Sequence, residues 1–397
     1  MSSIQKGVVA TTEVLPDSMV IDMRDEVSML DEDESQFSTY TMKSRKGTAT
    51  REKINWREKE YFPRLVTVGT AYTAGATSLV LTATHGNRVK VGDTLRAMTS
   101  GAMMYVTAVA TDTATVIAQI GSKVSGNLAV GDTLLIAGNA SPQGADFPQT
   151  AILTATLGYN YTEILRTGYS FSRTARSVNY YGQSEPDQES AVKGVEHKRA
   201  IEYTGFWGAR DLKTDPNTGE PVGFAGGLTE FVTYRADVAG SLTVDYVDSW
   251  LKNALQYTSR NVAMYLAPIA ALQMSKFNRG GQGTAWRPSR ENVAGLKVDA
   301  FMSGVYGYEI PIVVKKDWND FPTTLKQFGG WLFLVDHDRV GYRTLTGADT
   351  ALLTNRQHPG GDRVSEEYLT EFTWEIRNAS QSNVSGAAAH ALLFGIV

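Results

Sequence analysis

The first 64 residues separate their charge into two blocks, and that separation limits how the segment can fold. Met1 to Ser35 contains nine carboxylates against Lys6 and Arg24, a net charge of −7, and closes on the run Asp31, Glu32, Asp33, Glu34. Met42 to Arg64 contains eight bases (Lys43, Arg45, Lys46, Arg51, Lys53, Arg57, Lys59, Arg64) against three glutamates, a net charge of +5. Neither block shows the apolar periodicity of an element that buries a face of its own. Complementary potentials of this kind fix register between subunits and suppress wrong docking. The segment therefore reads as something laid across a neighbouring copy, which points to assembly rather than catalysis.

The remaining composition narrows the function class. With 397 residues and 42% hydrophobic residues the chain is long enough for two or three structural units with a packed core. A net charge of −4 excludes a general polycation, so any DNA contact has to be local. The absence of cysteine removes disulfides, thiolate metal sites and a cysteine nucleophile together. No run of about 18 apolar residues and no apolar signal core occur, so an aqueous setting without a membrane is expected. The sequons at Asn139, Asn160, Asn378 and Asn383 then read as chance matches.

Along the chain, Met1 to Ser38 reads as an extended arm and Gln36 to Lys46 as a short helical turn stopped by Gly47. Lys53 to Leu65 reads as an edge strand or ribbon, with Ile54 and Trp56 on one face, Asn55 and Arg57 on the other, and Pro63 excluding a central place. Thr67 to Ala140 is rich in Thr, Ala, Val and Gly, and repeats VGDTL at Val91–Leu95 and Val130–Leu134. It reads as a small β-barrel or sandwich, and as either an inserted module or a pair of similar turns. Gly158 to Arg173 is strand, and Asp187 to Asp211 a polar helix whose narrow apolar stripe predicts a course across a surface. From Ser241 an α+β core follows. Val244, Val247, Leu251, Ala254 and Leu255 keep helical spacing, Asn261 to Ala267 alternates as a strand, and Ile269 to Phe277 is helix. Tyr308 to Val314 and Trp331 to Val335 are buried strands, and Leu369 to Arg377 alternates with Phe372, Trp374 and Ile376 on one face.

Four stretches together resemble the major capsid proteins of tailed bacteriophages (Caudoviricetes) with the Hong Kong 97-like fold. These are LDEDESQFSTYTMKSRKGTATREKINWREKEYFPRL (Leu30 to Leu65), the strand and helix from Asn160 to Arg210, and GFAGGLTEFV (Gly223 to Val232) with the helix after it. The fourth is the strand set Tyr308 to Arg343 with the closing strand at Phe372. The resemblance implies an α+β capsid subunit with an N-terminal arm (1–40), an extended loop (41–66 and 141–175) and an all-β domain inserted in that loop (67–140). It also implies a spine helix and peripheral domain (176–240 and 300–397) and an axial domain (241–299). By the same resemblance the chain self-assembles into hexamers and pentamers of an icosahedral head enclosing double-stranded DNA, in the virion, after assembly in the bacterial cytoplasm. Scaffold, portal and decoration proteins are the implied further partners, and no cofactor is implied.

The inter-subunit contact is expected from Asp31, Glu32, Asp33 and Glu34 against Lys43, Arg45, Lys46, Arg51, Arg57 and Arg64, with Trp56, Tyr61 and Phe62 as aromatic contacts. The alternative for the aromatic strip is stacking on single-stranded nucleic acid. Other readings are a different oligomeric virion protein (portal, tail or decoration) and a metal-dependent hydrolase using Asp336, His337 and His358. The bland reading of Asp336-His337-Asp338 is a polar turn after a buried strand. Gly280-Gly281-Gln282-Gly283, between Arg279 and Arg287, lacks the lysine and hydroxyl that close a phosphate loop and reads as a mobile loop. His197 reads as a solvated residue of a charged helix.

Overall fold

The computed structural model describes residues 35–396 apart from 60, 118, 122–125, 147–149, 151–154, 179–183, 280–285, 294–295, 303–305, 308, 321–329 and 378–387. Asp31 to Glu34 and the glycine loop Gly280–Gly283 thus lie outside the described residues. The chain divides into two compact units, Arg57–Gly158 and the remainder.

In the larger unit the strand Arg363–Ile376 organises one sheet. It pairs antiparallel with Glu163–Ser172, Val340–Leu345 and Ala351–Leu353, and Val340–Leu345 pairs in parallel with Lys46–Ala49. Phe372, Trp374 and Ile376 are buried as their alternation predicts. The opposite face is also covered at Thr373 and Glu375, because Arg343 and Arg377 neutralise Glu375 there. The second sheet has seven strands in the order Tyr234–Gly240, Ala391–Ile396, Leu332–Asp336, Val262–Leu266, Glu309–Val314, Leu296–Met302, Trp286–Val293. Val262–Leu266 is buried at every position rather than alternating, because its place in the middle of this sheet leaves no face to water. The helix Val244–Ala254 is capped by Thr243, whose Oγ1 accepts from Tyr246 N at 3.3 Å.

Two expectations are corrected at the helices. Residues 36–38 are not part of an extended arm. The helix Gln36–Ser44 begins there, and Phe37 is fully buried against Phe206 (4.7 Å between ring centroids), Trp374 (5.1 Å) and Tyr265 (5.6 Å, edge-on). The long helix Glu185–Trp207 does not run wholly across a surface, since His197, Ile201, Glu202, Gly205 and Phe206 are buried. Its inward face is hard to see in the sequence because two of those five residues are polar and one is glycine. Each polar member is partnered: His197 lies 2.9 Å from Thr167 Oγ1 and 2.8 Å from Thr370 Oγ1, and Glu202 pairs with Lys315. His197 is therefore a satisfied core residue, not a solvated one, and burial holds its pKa below the ordinary histidine value. Asn160 is buried as well. Its amide spans Gly226 and the Trp374 carbonyl, tying the returning strand Thr156–Tyr161 to the glycine-rich turn.

The unit Arg57–Gly158 contains six strands in the order Leu65–Thr67, Thr133–Asn139, Asp93–Ala97, Met103–Ala110, Thr113–Ile117, Ser78–Val80. A bridge between Val68 and Leu81 joins the two ends of that order, so the sheet closes into a barrel around Val66, Leu79, Leu95, Met104, Val106 and Leu134. The VGDTL repeat is a repeated turn. In each copy a glycine with positive φ (Gly92, 93°; Gly131, 88°) precedes an aspartate. The carboxylate of that aspartate accepts from the backbone N–H three residues earlier, Lys90 at 2.7 Å and Ala129 at 2.8 Å.

Candidate inter-subunit interface

The basic block of the sequence does not stay together. Lys43 is exposed in the last turn of the helix Gln36–Ser44. Arg45 and Lys46 follow, and the parallel pairing of Lys46–Ala49 with Val340–Leu345 sets Gly47 opposite Arg343. The next pairing, Gly341 with Glu375, brings in the end of Arg363–Ile376. Three segments, the first nearly 300 residues before the other two in sequence, thus line one cleft of about 160 Å³ with Arg45, Lys46, Arg339, Arg343 and Arg377 around Glu375.

The charges in that cleft are unevenly compensated. Glu375 is 4% exposed and takes Arg343 on one carboxylate oxygen and Arg377 on the other, so a single negative charge serves two guanidinium groups. Lys46 pairs with Asp349, and Arg45 donates to the Asp338 carbonyl. Arg339 stands 4.0 Å from Asp336, whose own carboxyl is held by Ser259 N at 2.7 Å, Ser259 Oγ at 2.6 Å and Asp338 N at 3.0 Å. Among the described residues Arg45 has no carboxylate within ion-pair distance. The arrangement suits an incoming anion at its mouth.

The other expected contact residues fall elsewhere. Arg51 is exposed in the turn after Lys46–Ala49. Trp56 is not an exposed contact: it is 6% exposed and packs with Ala49 and Ile54 against Phe231 and Leu345. Its alternation with Arg57 is real, but the aromatic face is taken by the chain's own core. Arg57, Tyr61, Phe62 and Arg64 belong to the barrel unit. There Tyr61 is 98% exposed, Arg57 and Arg64 are exposed, and Phe62 is half-buried under the Lys90 ammonium at 5.2 Å. Sequence reasoning missed Arg339, Arg343 and Arg377. The one local signal for them was the outward Arg343 of the alternating strand Val340–Leu345.

The residues considered for metal chemistry do not converge. His337 Nε2 is 3.1 Å from Tyr265 Oη, and burial pushes its pKa down to about 4. His358 is exposed, its Nδ1 2.8 Å from the Pro359 carbonyl. Among the described residues no three His, Asp or Glu side chains are grouped to hold a metal ion. The triplet Asp336-His337-Asp338 is the polar turn that closes a buried strand.

Comparison with solved structures places this architecture. The capsid subunit of a native GTA particle aligns over 96% of this chain and 97% of its own length, with a TM-score of 0.50 and 9% identity. A structure from Mycobacterium phage Bobi aligns over 98% and 99% with a TM-score of 0.48 and 8% identity. The encapsulin of a holo-SrpI complex from Synechococcus elongatus aligns over 64% and 77%, at 0.41 and 11%. No curated protein matches the sequence. The fold is the Hong Kong 97-like capsid fold. Residues 4–385 match the SU10 major capsid protein family, and the chain belongs to that family.

Proposed function

We propose that copies of this chain assemble into the hexamers and pentamers of a closed icosahedral head around double-stranded DNA, and that the chain performs no catalysis. The observation that carries the reading is a capsid fold, and a capsid family, spanning nearly the whole chain. Closed symmetric assembly multiplies modest contacts, so a shell is stable where each interface alone is weak. Within it, Asp31 to Glu34 of one copy meet the bases around Lys43, Arg45 and Lys46 of another, while Tyr61, Arg57 and Arg64 present contacts from the barrel unit. That unit is read as a domain inserted at the tip of the extended loop, supported by its own closed sheet and its own core. DNA touches the inner wall through phosphate contacts without base readout. Scaffold, portal and decoration proteins complete the head, which forms in the bacterial cytoplasm.

The experiment is a charge reversal of Lys43, Arg45 and Lys46 to Glu, followed by sedimentation and circular dichroism. The reading expects an unchanged subunit spectrum with assembly lost. Shells forming at the parent yield count against the interface.

A further inference from the structure

The aromatic residues of the basic block part company in the fold. Trp56 packs into the larger unit, while Tyr61 and Phe62 lead into the first strand of the barrel, Leu65–Thr67. A second segment joins them there. Lys90 Nζ lies 5.2 Å over the Phe62 ring, and Arg88 Nη1 donates to the Leu65 carbonyl at 3.3 Å. Pairing sets Leu65 opposite Leu135 and Leu135 opposite Arg96, and cross-strand partners share a face. Arg96 therefore stands two strands from Leu65, about 10 Å away, on the same outer face of the barrel. We propose that this face binds a single nucleic-acid strand, with phosphates on Arg88, Lys90 and Arg96 and a base stacked on Tyr61. The inference goes beyond the assembly reading and does not depend on it, because every residue named lies in one unit of one chain.

Charge selects an anion. Among the described residues no carboxylate lies within ion-pair distance of Arg88, Lys90 or Arg96. Three aspartates of the same unit are taken up by its turns. Asp93 accepts from Lys90 N at 2.7 Å and Asn139 Nδ2 at 3.0 Å, and Asp112 from Gly86 N at 2.9 Å. Asp132 accepts from Ala129 N at 2.8 Å and Thr99 Oγ1 at 3.0 Å. The same face of a second copy carries the same cations and is repelled.

Exposure selects a strand. The Tyr61 side chain is 98% exposed, a ring open to a planar partner. Leu65, exposed, and Leu135, half-buried, lie between the charges and offer apolar surface to sugars and bases. A duplex keeps its bases stacked inside and gives Tyr61 nothing to stack on. A sulfated polysaccharide supplies charge without a π-face.

Fluorescence anisotropy of the full chain with a labelled oligothymidylate of about 20 nucleotides tests this. The expected result is saturable binding, with log Kobs falling against log salt at a slope of about −2 for three phosphate contacts. Arg88→Gln with Lys90→Gln should weaken binding about tenfold or more and flatten the slope by about 1.4. Arg96→Gln repeats the charge test on a separate strand and should flatten it by about 0.7. Tyr61→Ala, at a side chain without packing, should weaken binding about tenfold and leave the slope unchanged. An abasic oligomer of the same length should bind the parent and Y61A alike. Absence of binding overturns the proposal, as does an affinity that R88Q with K90Q or R96Q leaves unchanged. A duplex bound as tightly as the single strand, with Y61A without effect, shows a phosphate surface and overturns the strand. Heparin bound in place of the oligomer assigns the face to polysaccharide and overturns it too.

Discussion

Lys315 Nζ lies 2.7 Å from Glu202 Oε1, with both side chains closed off from water. The same carboxylate accepts from the backbone N–H of Phe37 at 3.3 Å and Ser38 at 3.0 Å, and from Ser38 Oγ at 2.9 Å. One carboxylate therefore fastens the start of the first helix to the long helix and to the end of the strand Glu309–Val314, whose next residue is Lys315. Burial raises the Glu202 pKa even against its lysine. Removing one partner strands the other charge in the core, so Lys315→Met is expected to cost about 3–5 kcal/mol in urea unfolding. Glu202→Gln combined with Lys315→Met should cost less than the two single changes added together. Simple additivity would show the pair to be unimportant.

A second prediction concerns close approach in the same region. A Cβ on Gly205 would stand 2.9 Å from Phe37 Cε1 and 3.0 Å from the Trp374 indole. Both rings are locked in the core, so neither moves aside cheaply. Gly205→Ala gains about 1 kcal/mol of helix propensity but overpacks by about 1–3 kcal/mol. A net loss of thermal stability is expected, and calorimetry showing a rise in Tm would contradict the packing described.

Acid should weaken the fold through buried histidines. His337 is pushed down to about 4 and His390 to about 3, both by burial. His390 Nδ1 accepts from Asp336 N, its Nε2 faces the Arg377 carbonyl, and His337 faces Tyr265 and Asp338. Their folded pKa values are depressed, so the unfolded chain takes up protons first. This stabilisation is complete above about pH 6.5 and is lost as pH falls toward 4 and 3, at roughly 1 kcal/mol per pH unit per histidine. Glu202 and Asp336, raised by burial, act in the opposite sense above their ordinary carboxylate values, within the same acid range. The histidine effect is therefore read as a difference: His390→Asn should flatten the urea-midpoint profile below pH 6.5 relative to the parent. Parallel profiles would refute it.

The barrel should be separable. Its strands close on themselves and enclose their own apolar residues. Replacing Thr67 to Ala140 by a short Gly-Ser linker is expected to leave the helical circular-dichroism signal and a single cooperative transition. An insoluble product without a transition would argue that the larger unit depends on the barrel.

How much of this was legible before the structure depends on where the information lies along the chain. The alternation at Phe372, Trp374 and Ile376 and the paired VGDTL turns are local signals, and both lie where the sequence placed them, although the strand begins six residues earlier than expected, at Arg363. The inward face of Glu185–Trp207 was hidden because His197 and Glu202 look like surface residues until Thr370 and Lys315 are seen beside them. Trp56 was placed on the right face of its strand, yet the partner of that face, Phe231, lies 175 residues further along. The basic cleft was half visible. Arg45 and Lys46 stood out as part of a charge block, whereas Arg339, Arg343 and Arg377 joined them through strand pairing that no local pattern encodes.

The central claim is that the chain does its work as one of many interlocked copies. Electron microscopy of the overexpressed, unmodified chain tests it most directly. The account predicts closed particles whose wall resolves into five-fold and six-fold clusters of this fold. A preparation made up of single subunits, at concentrations where the protein is fully folded, would contradict it.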